Sequence, residues 1–293
     1  MTLPPPAEKW GPMQSYLYGQ HGDGPAPALF FHGNGFSAHT YNTLLSDIAE
    51  HTPLRAFDLQ GHGASDPIPS VQSLYRWQLY RDNVAFALNH NDGGILIGHS
   101  MGALSSMFTA MKHPEKVRAL VLLEPVFLSP QMTLGLGLIR TFGIKSREGG
   151  MVKQARSRRQ YFADTEEAVG YFLGRKGLKT WPEDAIRNYA ESILCPRRDG
   201  QPGLELSLLP EYEAQNFANL PAWRWPAKKL PMPVLLAYGS HWSSTVYTGR
   251  IEWLRKLAPQ LDVHVHGKAG HMMPVDAAEW TGQVVRDFLQ RLD

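Results

Sequence analysis

The chain has one cysteine, Cys195, in 293 residues. That excludes an internal disulfide framework and suits a reducing compartment; the thiol itself reads as a small buried or half-buried hydrophobe. No apolar run approaches the roughly 18 residues that a membrane span needs. Residues 1–10 carry Pro4, Pro5 and Pro6 and lack the apolar core of a signal peptide, so a cytoplasmic protein is expected. Net charge is only +2, too little to argue for a nucleic-acid partner. Internal repeats and long low-complexity segments are missing as well.

Metal-binding patterns are equally scarce. His264 and His266 alternate along the last apolar strand, but neither acidic nor cysteine partners accompany them. They are read as exposed strand residues, and no metal is expected. What remains is ordinary globular material, 43% hydrophobic and 19% charged. At this length one large α/β domain with an insertion fits as well as two domains.

The most informative stretch is residues 94–103. The apolar run Ile95, Leu96, Ile97 passes straight into Gly98-His99-Ser100-Met101-Gly102, and a helical pattern (Leu104, Met107, Phe108, Met111) follows at once. Strand, sharp turn and helix are the context that G-x-S-x-G requires, with the serine held on a strained corner and its hydroxyl clear of the backbone. A Cβ at Gly98 or Gly102 would collide as the helix packs back over the strand. Ser100 is therefore the candidate nucleophile. The N-terminus of the helix beneath it favours a developing oxyanion, and the Met101 N–H is a candidate oxyanion donor.

Other strands lead to the same edge. Residues 15–20 read as an edge strand, and Ala28 to Phe31 as a buried one that ends in His32-Gly33-Asn34-Gly35-Phe36. A glycine-rich loop at a strand end can supply the second oxyanion N–H, here from Asn34, with His32 structural and Phe36 placed to touch substrate. A helix is expected over residues 41–51, a strand over 55–59, and then the turn-rich loop Gln60-Gly61-His62-Gly63, where His62 and Asp66 are loop-fixing hydrogen-bonders. A helix over 75–89 carries Leu79, Val84, Phe86 and Leu88. Beyond Pro114, the run from Ala119 to Leu123 is apolar on both faces, as in a parallel sheet, and ends in Glu124 on the rim where α/β sheets bind ligands.

The stretch from 127 to 230 abandons this alternation. It has helical patterns over 134–142, 150–162, 166–173 and 183–194, and a basic run of Lys145, Arg147, Lys153, Arg156, Arg158 and Arg159, read as a solvated face. Met132, Leu134, Leu136, Leu138, Ile139 and Phe142 could line an acyl pocket or fill the insertion's own core. Trp223 and Trp225, between prolines, mark the chain's return. The strand from Pro233 to Tyr238 then leads into Gly239-Ser240-His241-Trp242-Ser243-Ser244-Thr245, a loop without a carboxylate. His241 and Trp242 are candidate substrate contacts. Gly270-His271 opens the final helix, and His271 is the candidate general base.

On these motifs the chain resembles the α/β-hydrolase superfamily. The matching residues are His32-Gly33-Asn34-Gly35, Asp58-Leu59-Gln60-Gly61-His62-Gly63, Gly98-His99-Ser100-Met101-Gly102 and Gly270-His271. The resemblance implies a mostly parallel sheet with helices on both faces and a helical cap: core 1–126, cap 127–230, core 231–293. In most members the triad acid follows the strand that here ends at Tyr238, where this chain has none. Some haloalkane dehalogenases take it from the strand end where Glu124 stands, so Glu124 is the candidate acid; those enzymes carry Asp where this chain has Ser100.

The order Ser100, Glu124, His271 is the order expected of that fold. It implies a serine hydrolase acting through an acyl-enzyme on a small carboxylic ester or related acyl substrate, with no cofactor. An acyltransferase or a C–C bond hydrolase could use the same three residues, and a ligand-binding protein could keep the fold without turnover. Epoxide hydrolysis and dehalogenation would need a carboxylate at position 100.

Overall fold

The computed structural model of the chain describes residues 3–292 apart from 21, 23, 25, 130, 133, 136, 137, 139–148, 222–227, 242 and 244–249. The first part runs β1 (Pro6–Trp10), β2 (Met13–Tyr18), β3 (Ala28–Phe31), α1 (Asn42–Ala49), β4 (Leu54–Phe57), α2 (Gln78–His90), β5 (Gly94–His99), α3 (Met101–Lys112) and β6 (Val117–Leu123). The last part is β10 (Val234–Gly239), α8 (Ile251–Leu257), β11 (Leu261–His266), α9 (Met273–Asp276) and α10 (Ala278–Gln290). Between them lie α4 (Gly150–Arg156), β7 (Tyr161–Phe162), α5 (Thr165–Leu173), α6 (Glu183–Ser192), β8 (Leu194–Pro196), β9 (Leu204–Leu206) and α7 (Pro210–Ala218).

One eight-stranded sheet, ordered β1-β2-β4-β3-β5-β6-β10-β11, carries the site. Its pairs are parallel from β4 to β11, and only β1 and β2 join antiparallel. The central strands are apolar on both faces because both faces are covered. Phe30, Ile95 and Ile97 point to the side of α1 and α10, while Leu29, Phe31 and Leu96 point to the side of α2, α3 and α8. Among the described residues, no helix is long and apolar enough to cross a membrane.

Three readings from sequence change. The proline-bearing N-terminus is a strand, β1, paired with β2, because an edge strand tolerates proline. Phe86 is 43% exposed, stacked on His90 rather than buried in the helix face. The insertion is not all helix: β7, β9 and β8 form a small antiparallel sheet. The helix expected over 150–162 stops at Arg156, since Phe162 must be extended to pair with Leu204 and is 97% buried by doing so. Tertiary pairing overrides the local helical pattern there.

The insertion shares its core with the sheet. Phe162, Phe172, Trp181, Tyr189 and Leu206 belong to the same apolar cluster as Leu44, Ile48 and Phe288. Met132, Leu134 and Leu138 are exposed, so they neither fill a core nor line a closed pocket. Leu136, Ile139, Phe142, Lys145, Arg147, Trp223, Trp225 and the rest of the helix expected over 134–142 lie outside the described residues. The basic run is stitched into the insertion rather than solvated throughout. Arg156 pairs with Glu211, Arg159 with Glu167 and Arg158 with Glu213.

Candidate active site

Parallel register brings two of the candidate residues together before any side chain is considered. His99 of β5 pairs with Leu123 of β6, so Ser100 and Glu124 occupy the next rung, where each strand ends. The Ser100 N–H still donates to Leu123 O at 3.0 Å, and the Glu124 N–H to Ala237 O at 2.9 Å. Both residues then leave the sheet with left-handed backbones, φ 53° at Ser100 and 47° at Glu124. For residues with a Cβ such conformations cost on the order of 1–3 kcal/mol each, and the packed strands around them supply it.

The elbow works as its glycines require. A Cβ on Gly102 would lie 2.1 Å from Phe31 O, and one on Gly98 would lie 2.5 Å from the Ala103 nitrogen. Either substitution forces the helix off the strand.

His271 reaches this rung from the far end of the chain. Its Nε2 lies 2.9 Å from Ser100 Oγ and its Nδ1 lies 3.4 Å from Glu124 Oε2. A carboxylate only accepts, so Nδ1 carries the proton and Nε2 is free to accept from the serine hydroxyl. At 3.4 Å the contact to Glu124 is long for a hydrogen bond, so the imidazole sits closer to the hydroxyl than to the carboxylate.

Glu124 is fully buried, yet its oxygens are satisfied. The Gly239 N–H donates to Oε1 at 2.5 Å, and the Ser243 hydroxyl donates to Oε2 at 2.8 Å. The loop after β10 therefore provides a donor to the carboxylate instead of a carboxylate of its own. Sequence reasoning noted the missing acid there but not Ser243, whose hydroxyl was the available signal.

The Asn34 loop is fixed by histidines. The His32 ring donates from Nδ1 to Gly33 O at 2.7 Å and accepts the Leu59 N–H at Nε2, 2.9 Å. The Phe36 N–H also donates to Gly33 O, at 3.3 Å. Because a trans peptide is planar, pinning that carbonyl aims the Asn34 N–H the opposite way. Neither this N–H nor that of Met101 meets an acceptor among the described residues, leaving both available to an oxyanion. His62 accepts the Gly35 N–H at Nε2, 3.1 Å, and burial pulls its pKa down to about 4, so it is a neutral loop-fixing residue. Asp66 pairs with Lys9 at the surface.

The insertion grips the same loop through α7. Fully buried Asn216 donates to Asn34 Oδ1 at 2.7 Å and to Tyr80 Oη at 2.8 Å, while Asn34 Nδ2 donates to Glu213 O at 3.3 Å. None of these partners was visible as a sequence motif. Above the loop lies a cavity of about 660 Å³, with Asn34 and Phe36 on its floor and Arg158, Tyr189, Glu213 and Phe217 in its wall. Among the described residues its lining does not include Ser100 or His271; it meets the site at Asn34. Burial pushes the Glu213 carboxyl up, and the adjacent Arg158 guanidinium opposes that.

Phe36 thus borders the cavity. His241 does not: it is exposed, its Nδ1 2.9 Å from Ser240 Oγ, and it is not part of the cavity wall. Trp242 lies outside the described residues. On β11, His264 has an acidic neighbour after all, Asp262 at 3.1 Å, and His266 Nδ1 accepts the Ala269 N–H at 2.8 Å, bracing the loop that leads to His271. Both histidines are half-buried rather than exposed, and among the described residues no cluster of His, Cys, Asp or Glu could hold a metal.

Sheet order, elbow and rim geometry define the class, and the chain belongs to the alpha/beta hydrolase family, whose model matches residues 28–284. It is 28% identical over 274 residues to the 2-(acetamidomethylene)succinate hydrolase of Mesorhizobium japonicum, covering 92% of this chain and 90% of that one. It is 26% identical over 273 residues to the 2-hydroxymuconate semialdehyde hydrolase of Pseudomonas putida, covering 91% and 88%. The crystal structure of E-2-(acetamidomethylene)succinate hydrolase matches with a TM-score of 0.72 and 26% identity over 95% of each chain. These relatives are all named as hydrolases.

Proposed function

We propose that the protein is a serine hydrolase that works through an acyl-enzyme on a small acyl substrate. The observation that supports this most is the file of Ser100, His271 and Glu124, with 2.9 Å between hydroxyl and imidazole. Ser100 Oγ attacks the substrate carbonyl carbon as its proton passes to His271 Nε2. The oxyanion settles on the N–H groups of Asn34 and Met101, each worth about 10²–10³ in rate. Collapse expels the leaving group, which takes the proton from Nε2. Water then repeats the sequence on the acyl-enzyme, and Glu124 holds the imidazole tautomer throughout.

Substrate charge follows from the cavity wall. Arg158, Arg175 and Lys176 line it against Glu213, which favours a substrate bearing an acidic group over a cationic one. The word succinate in one relative's name is consistent with this. Two relatives are named for substrates other than simple esters, so a C–C or amide acyl bond is the second reading. In both readings residues 1–126 and 231–293 supply the reacting groups, residues 127–230 act as the cap that shapes the pocket, and the setting is cytoplasmic.

The test uses p-nitrophenyl esters and a matched pair of methyl esters, one neutral and one the half-ester of a dicarboxylic acid. Turnover that vanishes in Ser100→Ala and favours the half-ester is expected. Folded protein without turnover and without a fluorophosphonate adduct on Ser100 overturns the proposal.

A further inference from the structure

We infer that Tyr41 and His99 are positioning residues that lock the loop carrying the base to the loop carrying the oxyanion donor. This rests on the serine hydrolase reading and adds to it two residues that touch no reacting atom.

The directions of the hydrogen bonds follow from chemistry alone. His99 Nε2 lies 2.9 Å from the main-chain oxygen of His271. A carbonyl only accepts, so Nε2 carries the proton and Nδ1 has a lone pair. That lone pair faces Tyr41 Oη at 2.6 Å, so the phenol donates to it. The phenol oxygen then accepts the Gly33 N–H at 3.2 Å. One unbranched chain of donors runs from Gly33 through Tyr41 and His99 to the backbone of His271, with every group turned the one way that satisfies all four.

Its position makes it more than core filling. Gly33 is the residue before Asn34, and the Asn34 amide belongs to the peptide unit that Gly33 begins. His99 is the residue before Ser100. The chain therefore ties together the three segments that hold the donor, the nucleophile and the base. Tyr41 is 1% exposed and His99 fully buried, so water does not compete for these bonds. Burial, with His271 nearby, holds the His99 pKa well below its ordinary value and keeps the ring neutral in the tautomer the chain needs. The His99 and His271 rings lie 5.0 Å apart between centroids, so the ring of His99 packs beside the imidazole it helps to place.

The wild type is first treated with a fluorophosphonate and assayed on an ester. Absence of both responses ends the serine hydrolase reading, and this inference with it. With an active wild type, three variants separate the arms of the chain. Tyr41→Phe removes a single oxygen. In His99→Asn the amide sits where Nδ1 was and still accepts from Tyr41, but it cannot reach His271 O. In His99→Gln the amide reaches the place of Nε2 and still donates to His271 O.

Tyr41→Phe and His99→Asn should lose about 10- to 100-fold in kcat with KM within about twofold, while His99→Gln, which keeps the arm to His271 but gives up the arm to Tyr41, should lose clearly less than His99→Asn. The proton resonance of His271 Nδ1–H should broaden or move in the first two and lie nearer its wild-type position in the third. Wild-type kcat and an unmoved resonance in folded Tyr41→Phe and His99→Asn would overturn the inference. So would losses that only track a falling Tm in all three, without rescue by glutamine.

Discussion

Ser100 and Glu124 meet because neighbouring parallel strands end one rung past the pair His99 and Leu123, whereas Arg158 and Glu213, 55 residues apart, lie outside the β7–β9 ladder and meet through their own side chains. The rim of the large sheet places its groups by backbone geometry: register, left-handed corners, and glycines that let a helix close over a strand. The insertion places its groups by side-chain pairing, through the Arg158, Glu213 and Tyr189 cluster and the amide of Asn216 on Asn34. On the proposed reading, a rim built by backbone should tolerate change in the insertion, and an insertion built by side chains should be able to alter its pocket without moving Ser100.

The contrast predicts a ladder of effects. Glu124→Gln should cost about 10⁴ in kcat, because an amide facing Nδ1 favours the wrong imidazole tautomer while the fold stays intact. If kcat falls less than about tenfold, the acid of the rim is elsewhere. Ser243→Ala, which strips a hydroxyl donor from a fully buried carboxylate, should lower kcat by about tenfold and stability by about 1–3 kcal/mol, read by kinetics and urea titration together. Asn216→Ala breaks the link between the insertion and the Asn34 loop. It should cost a similar amount of stability, about 1–3 kcal/mol, and a smaller share of kcat, with fluorophosphonate labelling of Ser100 retained. At the bottom, Arg156→Ala removes an exposed ion pair with Glu211 and should change stability by less than about 1 kcal/mol. A large loss there would mean that the insertion depends on its surface pairs as much as on its buried ones.

Acid should separate the two regions as well. His32, His62 and His99 are buried neutral beneath the rim, and His62 is pulled down to about 4. The unfolded chain takes up a proton near the ordinary value of 6.5 while the folded chain refuses it. Stability therefore falls as pH drops from 6.5 toward 4, by on the order of 3 kcal/mol for His62 alone. Asp58, pushed by burial up to about 6, works in the opposite sense over the lower part of that window, as does Glu213. The net expectation is a Tm that declines from pH 7 to pH 4.5; a flat profile would mean that these rings are not buried neutral.

Legibility in the sequence divides along the same line. Ser100, the Asn34 loop and His271 were readable because each is announced by glycines within two residues, and glycine marks places where backbone must bend or approach closely. Glu124 was readable less directly, since a strand end followed by an acid is common: the silent loop after β10, the rim it shares with Ser100 and the resemblance to superfamily members with an acid at that strand end pointed to it together. The insertion departs from its sequence pattern where chain-distant pairing decides the outcome: the helical pattern over 150–162 gives way to β7, and Arg158 is paired with Glu213 rather than solvated. Tyr41, His99 and Asn216 could not have been found, because a buried polar network has no periodicity. The His in Gly98-His99-Ser100 was in view, but its partners lie at positions 41 and 271.

The most direct test is peptide mapping of a fluorophosphonate adduct on the wild type and on His271→Ala, both shown to be folded. If hydroxyl, imidazole and carboxylate act as one unit, the wild type takes a single adduct on Ser100, and the variant takes it slower by about 10³-fold or more. Equal labelling rates, or an adduct on any other residue, would contradict the assignment of Ser100 as a nucleophile activated by His271.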